Sequence, residues 1–75
     1  MQRREYKTKL GVKQYRPVVS AKTLYNDGNL GFCLACGSTA HGVEPDARRY
    51  TCEGCGAAKV YGLEELVLMG LAIIN

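Results

Sequence analysis

Two short sequences decide the fold of this chain: Cys33-Leu34-Ala35-Cys36-Gly37 and Cys52-Glu53-Gly54-Cys55-Gly56. Together they form the pattern C-x2-C-x15-C-x2-C and contain all four cysteines of the protein. Two cysteines separated by two residues can place both sulfurs on one ion, and two such pairs supply the four thiolates of a closed tetrahedral zinc site. The spacing is typical of zinc sites. The sequence therefore predicts one structural Zn²⁺ ion, with the ligands Cys33, Cys36, Cys52 and Cys55.

A glycine follows each pair, at Gly37 and Gly56. Glycine at this point permits a positive φ, which turns backbone N–H groups toward the sulfurs. The alternatives are unligated cysteines, two disulfides, or iron in the same cage, because a tetrahedral S4 site does not by itself separate zinc from iron. Iron would make the protein a rubredoxin-like electron carrier. Four thiolates leave the ion no open position, so we expect no metal catalysis.

The chain has 75 residues, which is enough for one domain at most. A domain of this size buries only ~60% of the surface that its unfolded form exposes, so it usually needs a metal, disulfides or a partner subunit. The first residues contain no apolar segment of the signal-peptide type, and we therefore expect a cytoplasmic protein. Thiols stay reduced in that compartment, where paired cysteines more often hold metal.

Charge is divided unevenly along the chain. Residues 1–25 contain seven basic side chains and one acidic one, whereas residues 26–75 contain three basic and six acidic. This division predicts a basic N-terminal arm over residues 1–20 and a metal-bound body over residues 21–75. The arm alternates with a period of two, as a strand does, but its high charge is equally compatible with disorder. Pro17 is interpreted as the boundary between arm and body.

The arm offers cations to an anionic partner. Basic side chains neutralise phosphates, and tyrosines such as Tyr6, Tyr15 and Tyr25 stack on unpaired bases. A solvated tail is the alternative, because charge runs are commonly solvated. The candidate nucleic-acid-binding residues are Arg3, Arg4, Lys7, Lys9, Lys13, Arg16, Lys22, Arg48 and Arg49.

The fold class predicted is a small β-rich, metal-stabilised domain. Apolar and β-branched residues between turn formers predict strands over residues 23–25, 30–32, 48–51 and 57–61. Asp27-Gly28 predicts a hairpin turn between the first two strands. The polar segment 38–46 predicts a loop between the cysteine pairs.

The C-terminal segment has helical spacing of its apolar residues, which predicts a short α-helix over about residues 63–74. Residues 66–74 carry no polar side chain before Asn75, yet the segment is too short to span a bilayer. The helix is therefore either packed on two sides or docked on another chain, including a second copy of this one. The candidate partner-binding residues are Leu66, Leu68, Met69, Leu71 and Ile73.

The two C-x-x-C-G knuckles, each placed between predicted strands, resemble the zinc-ribbon class over about residues 30–61. Two segments are also similar to small uncharacterised zinc-ribbon proteins of bacteriophages and prophages: Gly42-Val43-Glu44-Pro45-Asp46-Ala47-Arg48-Arg49-Tyr50 and Val60-Tyr61-Gly62-Leu63-Glu64-Glu65-Leu66. That resemblance implies a viral protein in a bacterial cytoplasm, and it implies no activity.

These observations favour a non-catalytic binding protein. The sequence shows no constellation of nucleophile, base and open metal position, so we expect neither an enzyme nor a small-molecule substrate. The first hypothesis is a zinc-binding module that associates with nucleic acid, or with a protein that processes it, through the basic arm. The second is a protein-binding adaptor or inhibitor, acting on a host enzyme, that uses the C-terminal helix and the ribbon face. Rubredoxin-like electron transfer is the third.

Overall fold

A computed structural model of the chain describes residues 2–25 and 29–74, and within helix α1 it leaves the side chains of residues 24 and 25 undescribed. The elements in these ranges, in chain order, are β1 (Gln2–Lys7), β2 (Lys13–Val19), α1 (Ala21–Tyr25), β3 (Leu30–Cys33), β4 (Thr39–His41), β5 (Tyr50–Thr51), β6 (Ala58–Gly62), α2 (Leu63–Leu68) and β7 (Ile73–Ile74). The small β-rich fold with a short helix is as predicted.

The strands form two sheets. The ribbon sheet has the order β4-β3-β6-β5 and is antiparallel throughout. In its centre Phe32 pairs with Tyr61, and Cys33 pairs with Val60. Because cross-strand partners share a face and successive residues alternate, these two pairs point to opposite sides of the sheet. The ribbon sheet therefore separates two hydrophobic clusters.

The first cluster packs between the ribbon sheet, helix α2 and strand β2. Leu63 and Leu66 of α2 are fully buried in it, each with 0% of its surface exposed. Tyr15 of β2 and Leu71 pack against its edge. The buried members are Val19, Phe32, Leu34, Tyr61, Leu63 and Leu66. This cluster is the main apolar core.

The second cluster lies on the cysteine side of the ribbon sheet. Its buried members are Cys33, Val43, Ala47, Cys52 and Val60. The segment between β4 and β5 folds back over the sheet to supply two of them, and Gly62 donates its N–H to the Ala47 carbonyl at 3.1 Å. Two of the metal-ligand candidates are thus part of a packed core.

Two glycines allow that segment to lie directly on the sheet. Gly31 and Gly62 are opposite each other in the β3–β6 pair. A Cβ at Gly31 would stand 2.9 Å from the Val43 side chain, and one at Gly62 would collide with the carbonyls of Glu44 and Pro45. Any larger residue at either position would lift the segment off the sheet.

Helix α2 begins where strand β6 ends, at Gly62, as predicted. Its first turn has no side-chain cap; instead Glu65 donates its N–H to the Pro45 carbonyl at 3.1 Å. A backbone carbonyl from the folded-back segment therefore satisfies one of the free N–H groups at the start of the helix.

The predicted C-terminal bound of this helix, residue 74, is wrong. Gly70 has φ 74° and donates its N–H to Val67, while Leu71 donates to Leu66 at 2.9 Å. This pair of bonds is the Schellman motif, which ends a helix at a left-handed glycine. The chain then extends, and Ile73–Ile74 becomes β7.

Strand β7 joins a second, three-stranded sheet, the hairpin sheet, with the order β1-β2-β7. Strands β1 and β2 are an antiparallel hairpin, and β7 pairs in parallel with Val18 and Val19. Pro17 lies buried within β2, so it does not mark a boundary. Successive N–H groups of a strand point to alternate sides, and the Tyr15 N–H points away from β1, to the Leu34 carbonyl. An N–H at position 17 would therefore also point away from β1. Strand β1 thus loses no hydrogen bond because residue 17 is a proline.

Three other predictions differ from the structure or lie outside it. Residues 23–25 belong to helix α1, not to a strand, because Ser20 Oγ accepts the Thr23 N–H at 3.1 Å and caps the helix. The segment predicted as a loop contains the short strand β4. The Asp27-Gly28 turn lies outside the described residues. In the described part of the chain no helix is both long and apolar enough to cross a membrane.

Replacing Gly62 with alanine is expected to destabilise the fold. The backbone there, with φ −66° and ψ 149°, suits any residue, so the cost is purely the collision with the carbonyls of Glu44 and Pro45. We expect a decrease of about 1–3 kcal/mol in the free energy of unfolding, measured by denaturant titration. Gly54→Ala is the control, since a Cβ there has only ordinary contacts at 3.7 Å. An equal effect of the two substitutions would contradict the close packing at Gly62.

Candidate metal centre

The two cysteine pairs form turns with the same backbone hydrogen bonds. Gly37 donates to the Cys33 carbonyl and Gly56 to the Cys52 carbonyl, both at 2.8 Å. The φ angles of these glycines are 79° and 78°. Each turn is closed by the N–H of its first cysteine, which donates across the hairpin to residue 38 or 57 at 2.9 Å. The positive φ predicted after each pair is thus confirmed, and the turns are two copies of one knuckle.

The knuckles bring all four sulfurs to one point. The Sγ atoms lie within 4.8 Å of one another, and both Cys33–Cys55 and Cys36–Cys52 are 3.7 Å apart. A tetrahedron with Zn–S bonds of about 2.3 Å has edges of about 3.8 Å. The sulfur spacing therefore fits a single tetrahedral metal ion. All four cysteines have free thiols rather than disulfides, and disulfide sulfurs would stand only about 2.05 Å apart.

The sulfurs differ in their surroundings. Burial raises the pKa of the Cys33 thiol to about 12, although the N–H groups of Cys36 and Ala35 point at its sulfur. By contrast, hydrogen bonding with the Ser38 hydroxyl, 3.1 Å from Sγ, lowers the pKa of Cys36 to about 6. Since metal ligands must be thiolates, an arriving ion has to displace the proton of Cys33, whereas Cys36 is already poised to bind.

The arrangement can hold a metal but leaves no position for a substrate. All four ligand atoms of a tetrahedral ion come from the protein, and Cys33 and Cys52 are buried in the second cluster. A closed four-thiolate site is structural, because catalytic zinc keeps one position for water or substrate. The protein therefore contains a zinc-ribbon-like metal-binding site; the identity of the ion stays a prediction.

The N-terminal hairpin is docked on the first knuckle. Tyr15 of β2 donates its N–H to the Leu34 carbonyl at 2.8 Å. The Arg3 guanidinium lies over the Tyr15 ring at 5.3 Å and reaches the Gly37 carbonyl at 3.5 Å. The aliphatic part of Arg3 covers Gly37, where a Cβ would stand 2.6 Å from Cδ. No corresponding contact is made at Gly56, where a Cβ would have open space.

Several predicted nucleic-acid-binding residues have partners within the protein. Arg48 binds Glu65, with Nε and Nη2 each 2.8 Å from Oε1, and so neutralises a carboxylate that is 5% exposed. Lys13 forms an ion pair with Glu5 at 2.9 Å, which raises the pKa of the lysine. The buried Glu65 therefore already has a counter-ion in Arg48, and a role of Arg48 in nucleic-acid binding stays a prediction.

Other basic residues are left to solvent. Arg16, which is half-buried, stacks over the Tyr6 ring at 4.1 Å. Within the described part of the chain, the exposed cations that form no ion pair are Arg3, Arg4, Lys7, Lys9, Arg49 and Lys59. The structure thus divides the basic residues into those that are paired with an acid and those that are not.

The predicted partner-binding residues also differ in how far they are exposed. Leu66 is fully buried and Leu71 packs on the first cluster, so neither forms a free surface. Ile73 is half-buried in β7. Only Leu68, 83% exposed, and Met69, 44% exposed, face solvent. Periodicity alone did not separate these residues, because the Schellman turn and β7 fold the end of the chain back onto the core.

We compared the chain with models of protein families, with curated proteins and with solved structures, and none of the three comparisons gave a match. The assignment of the metal site therefore rests on the geometry of the four sulfurs.

We expect the purified protein to bind one zinc ion per chain and to unfold when a chelator removes it. Binding of zinc to small zinc-finger peptides is worth about 10–16 kcal/mol at neutral pH, which exceeds the stability of an ordinary small domain. Elemental analysis and circular dichroism would measure both effects. Acidification should release the metal, because protons compete for the thiolates.

Cys33→Ser is expected to abolish this binding, whereas Ser38→Ala, beside the same ligands, should keep one ion per chain. Full metal content in Cys33→Ser would contradict the site. Preferential loading with iron, visible as a red protein, would support the rubredoxin-like alternative instead of zinc.

Docking of the hairpin can be measured by comparing Gly37→Ala with Gly56→Ala. Both substitutions place alanine at a positive φ, which costs about 1–2 kcal/mol. Only the first also displaces Arg3 and Tyr15, so its free energy of unfolding should fall by about 1–3 kcal/mol more. The Tyr15 amide should then exchange its hydrogen faster. Equal destabilisation of the two variants would show that the hairpin does not depend on this knuckle.

Proposed function

We propose that this protein is a metal-stabilised, non-catalytic module that binds nucleic acid through the outer face of its N-terminal hairpin. The outer face is defined by the alternate residues that point away from the core: Gln2, Arg4 and Tyr6 of β1, and Gln14, Arg16 and Val18 of β2. The opposite face carries Pro17 and Val19, which are buried against the body. The hairpin therefore presents a defined surface to solvent.

The observation that carries the proposal is the pairing of Arg4 with Arg16. These residues are directly opposite each other in the β1–β2 register, on the same face. Like charges at such positions destabilise a sheet. No acidic residue lies on the outer face to offset them, since Glu5 points to the other side and pairs with Lys13. An anionic partner would relieve this repulsion, and phosphates suit arginine because its guanidinium donates two parallel hydrogen bonds.

Tyr6 adds to the same surface. Its ring lies on the outer face beneath the Arg16 guanidinium, at 4.1 Å. The stacking restricts the arginine before any ligand arrives, so less conformational entropy is lost on binding. An exposed ring edge beside two cations is also the combination that nucleic-acid-binding surfaces use to contact bases and backbone together.

Arg4→Gln tests the proposal. Arg4 is exposed and has no ion pair in the described chain, so its replacement should weaken binding to DNA or RNA several-fold without unfolding the protein. The slope of log K against log salt should become shallower by about 0.9 for each phosphate that the variant no longer neutralises. Fluorescence anisotropy over a salt series measures both.

The matched control for this experiment is Lys59→Gln. It removes one positive charge from an exposed position of β6, on the ribbon sheet. Equal weakening by the two variants would indicate attraction by net charge alone, and no binding at low salt would refute the proposal.

A second candidate function is protein binding through the C-terminal segment. It is favoured by the exposure of Leu68 and Met69, two large apolar side chains adjacent in the chain at the end of α2. The occupant in this case is a second copy of the chain or a host nucleic-acid enzyme, and the latter would agree with the resemblance to bacteriophage proteins.

Leu68→Glu is expected to disrupt such a complex while the monomer stays folded, because Leu68 contributes little to the core. Sedimentation velocity would detect the change from dimer to monomer. Leu10→Glu, at an apolar position 91% exposed on the hairpin, is the control and should leave the assembly intact. A wild-type protein that is monomeric at high concentration would exclude the homodimer.

A further inference from the structure

The part of the hairpin farthest from the body is a free two-stranded ribbon. We call residues 6–14 the distal ribbon. Strand β7 reaches only Val18 and Val19, so the distal ribbon has no third strand. Its side chains are exposed except for Thr8 and Gln14, which are half-buried. Both faces of this segment are therefore accessible to a ligand.

The tip of the distal ribbon has a defined conformation. Thr8 donates its N–H to the Val12 carbonyl at 3.0 Å and accepts the Gly11 N–H at 2.9 Å. The Thr8 hydroxyl accepts the Val12 N–H at 3.1 Å. Gly11 supplies the left-handed residue that the turn needs, with φ 80°. The loop is thus closed by three hydrogen bonds that involve one threonine.

This turn holds two apolar side chains in water. Leu10 is 91% exposed and Val12 is 54% exposed. Lys7 and Lys9, which form no ion pair in the described part of the chain, are close to them in sequence, and residues 6–14 contain no acid. Glu5, the nearest acid in sequence, is paired with Lys13. An apolar tip with unpaired cations beside it matches a ligand that is anionic on its outside and apolar within.

We propose that the distal ribbon enters the major groove of duplex DNA, with Leu10 against the base edges and Lys7 and Lys9 against the phosphates. This inference deepens the proposed function and rests on it. The major groove of B-DNA is about 12 Å wide and admits a two-stranded β-ribbon, whereas the minor groove is only about 6 Å wide. The major groove of A-form RNA is too narrow for side chains to read. The apolar group available in the DNA groove is the thymine methyl.

Arg4 and Arg16 lie on the outer face of the same two strands, nearer the body. They would contact the backbone beside the groove while the tip lies within it. An anionic membrane is the competing ligand for a basic, apolar tip. Interfacial segments bury a whole apolar face, however, and the tip offers only Leu10 and Val12, so the observations favour DNA.

The experiment compares one sequence as duplex DNA, single-stranded DNA and duplex RNA, by anisotropy at one ionic strength. We expect the tightest binding to duplex DNA. Leu10→Ser should weaken it about tenfold, as expected when a leucine side chain is no longer buried in the complex. Leu68→Ser, at the other exposed leucine, should have no effect. Replacing thymine by uracil should weaken the wild-type complex about fourfold, the value of one methyl group, and should not change the Leu10→Ser complex.

The outcomes separate this inference from the proposed function. Equal or tighter binding to single strands or to duplex RNA would overturn groove entry while leaving nucleic-acid binding intact. So would an unchanged affinity of Leu10→Ser, provided that thermal unfolding shows it to be folded. Leucine-dependent binding to phosphatidylserine vesicles without binding to duplex DNA would assign the tip to membranes and overturn the inference. Absence of binding to any nucleic acid would refute both.

Discussion

The convergence of four cysteine sulfurs within 4.8 Å is the constraint on which the rest of the structure depends. It joins the β3–β4 hairpin to the β5–β6 hairpin beside the second hydrophobic cluster. Cys33 and Cys52 belong at the same time to the second hydrophobic cluster, so metal ligation and core packing stabilise the same residues. Burial disfavours the thiolate form of Cys33 and so raises its pKa, and a bound cation would offset that cost.

The two knuckles have the same backbone conformation but different contacts with the rest of the protein. Gly37 and Gly56 share the same φ and the same hydrogen bond, yet only Gly37 is covered by Arg3 and Tyr15. The first knuckle is therefore both half of the metal site and the support of the N-terminal hairpin. Because the hairpin carries the proposed interface, the orientation of that interface follows from the first knuckle of the metal site.

The charged residues of this protein differ in whether a partner of opposite charge lies beside them. Arg48 forms an ion pair with the buried Glu65, and Lys13 forms one with Glu5. By contrast, Arg4 and Arg16 lie opposite each other without an acid between them. A stabilising pair and an unrelieved repulsion thus occur in the same small fold. The first kind of contact is explained by folding alone; the second is the one that the proposed anionic partner would relieve.

The sequence by itself determined the parts that depend on local chemistry. Cysteine spacing and the following glycines identified the ligands and the form of both knuckles, and the short apolar runs placed β3 and β6. Only the tertiary structure decided what Leu66 packs against and how the basic segment is held. Periodicity reports which residues avoid water but not what covers them. The residues that cover them come from distant segments of the chain: β7 pairs with β2, and Arg3 packs on Gly37, thirty-four residues away. Long-range pairing of this kind depends on the whole fold, and no local pattern records it.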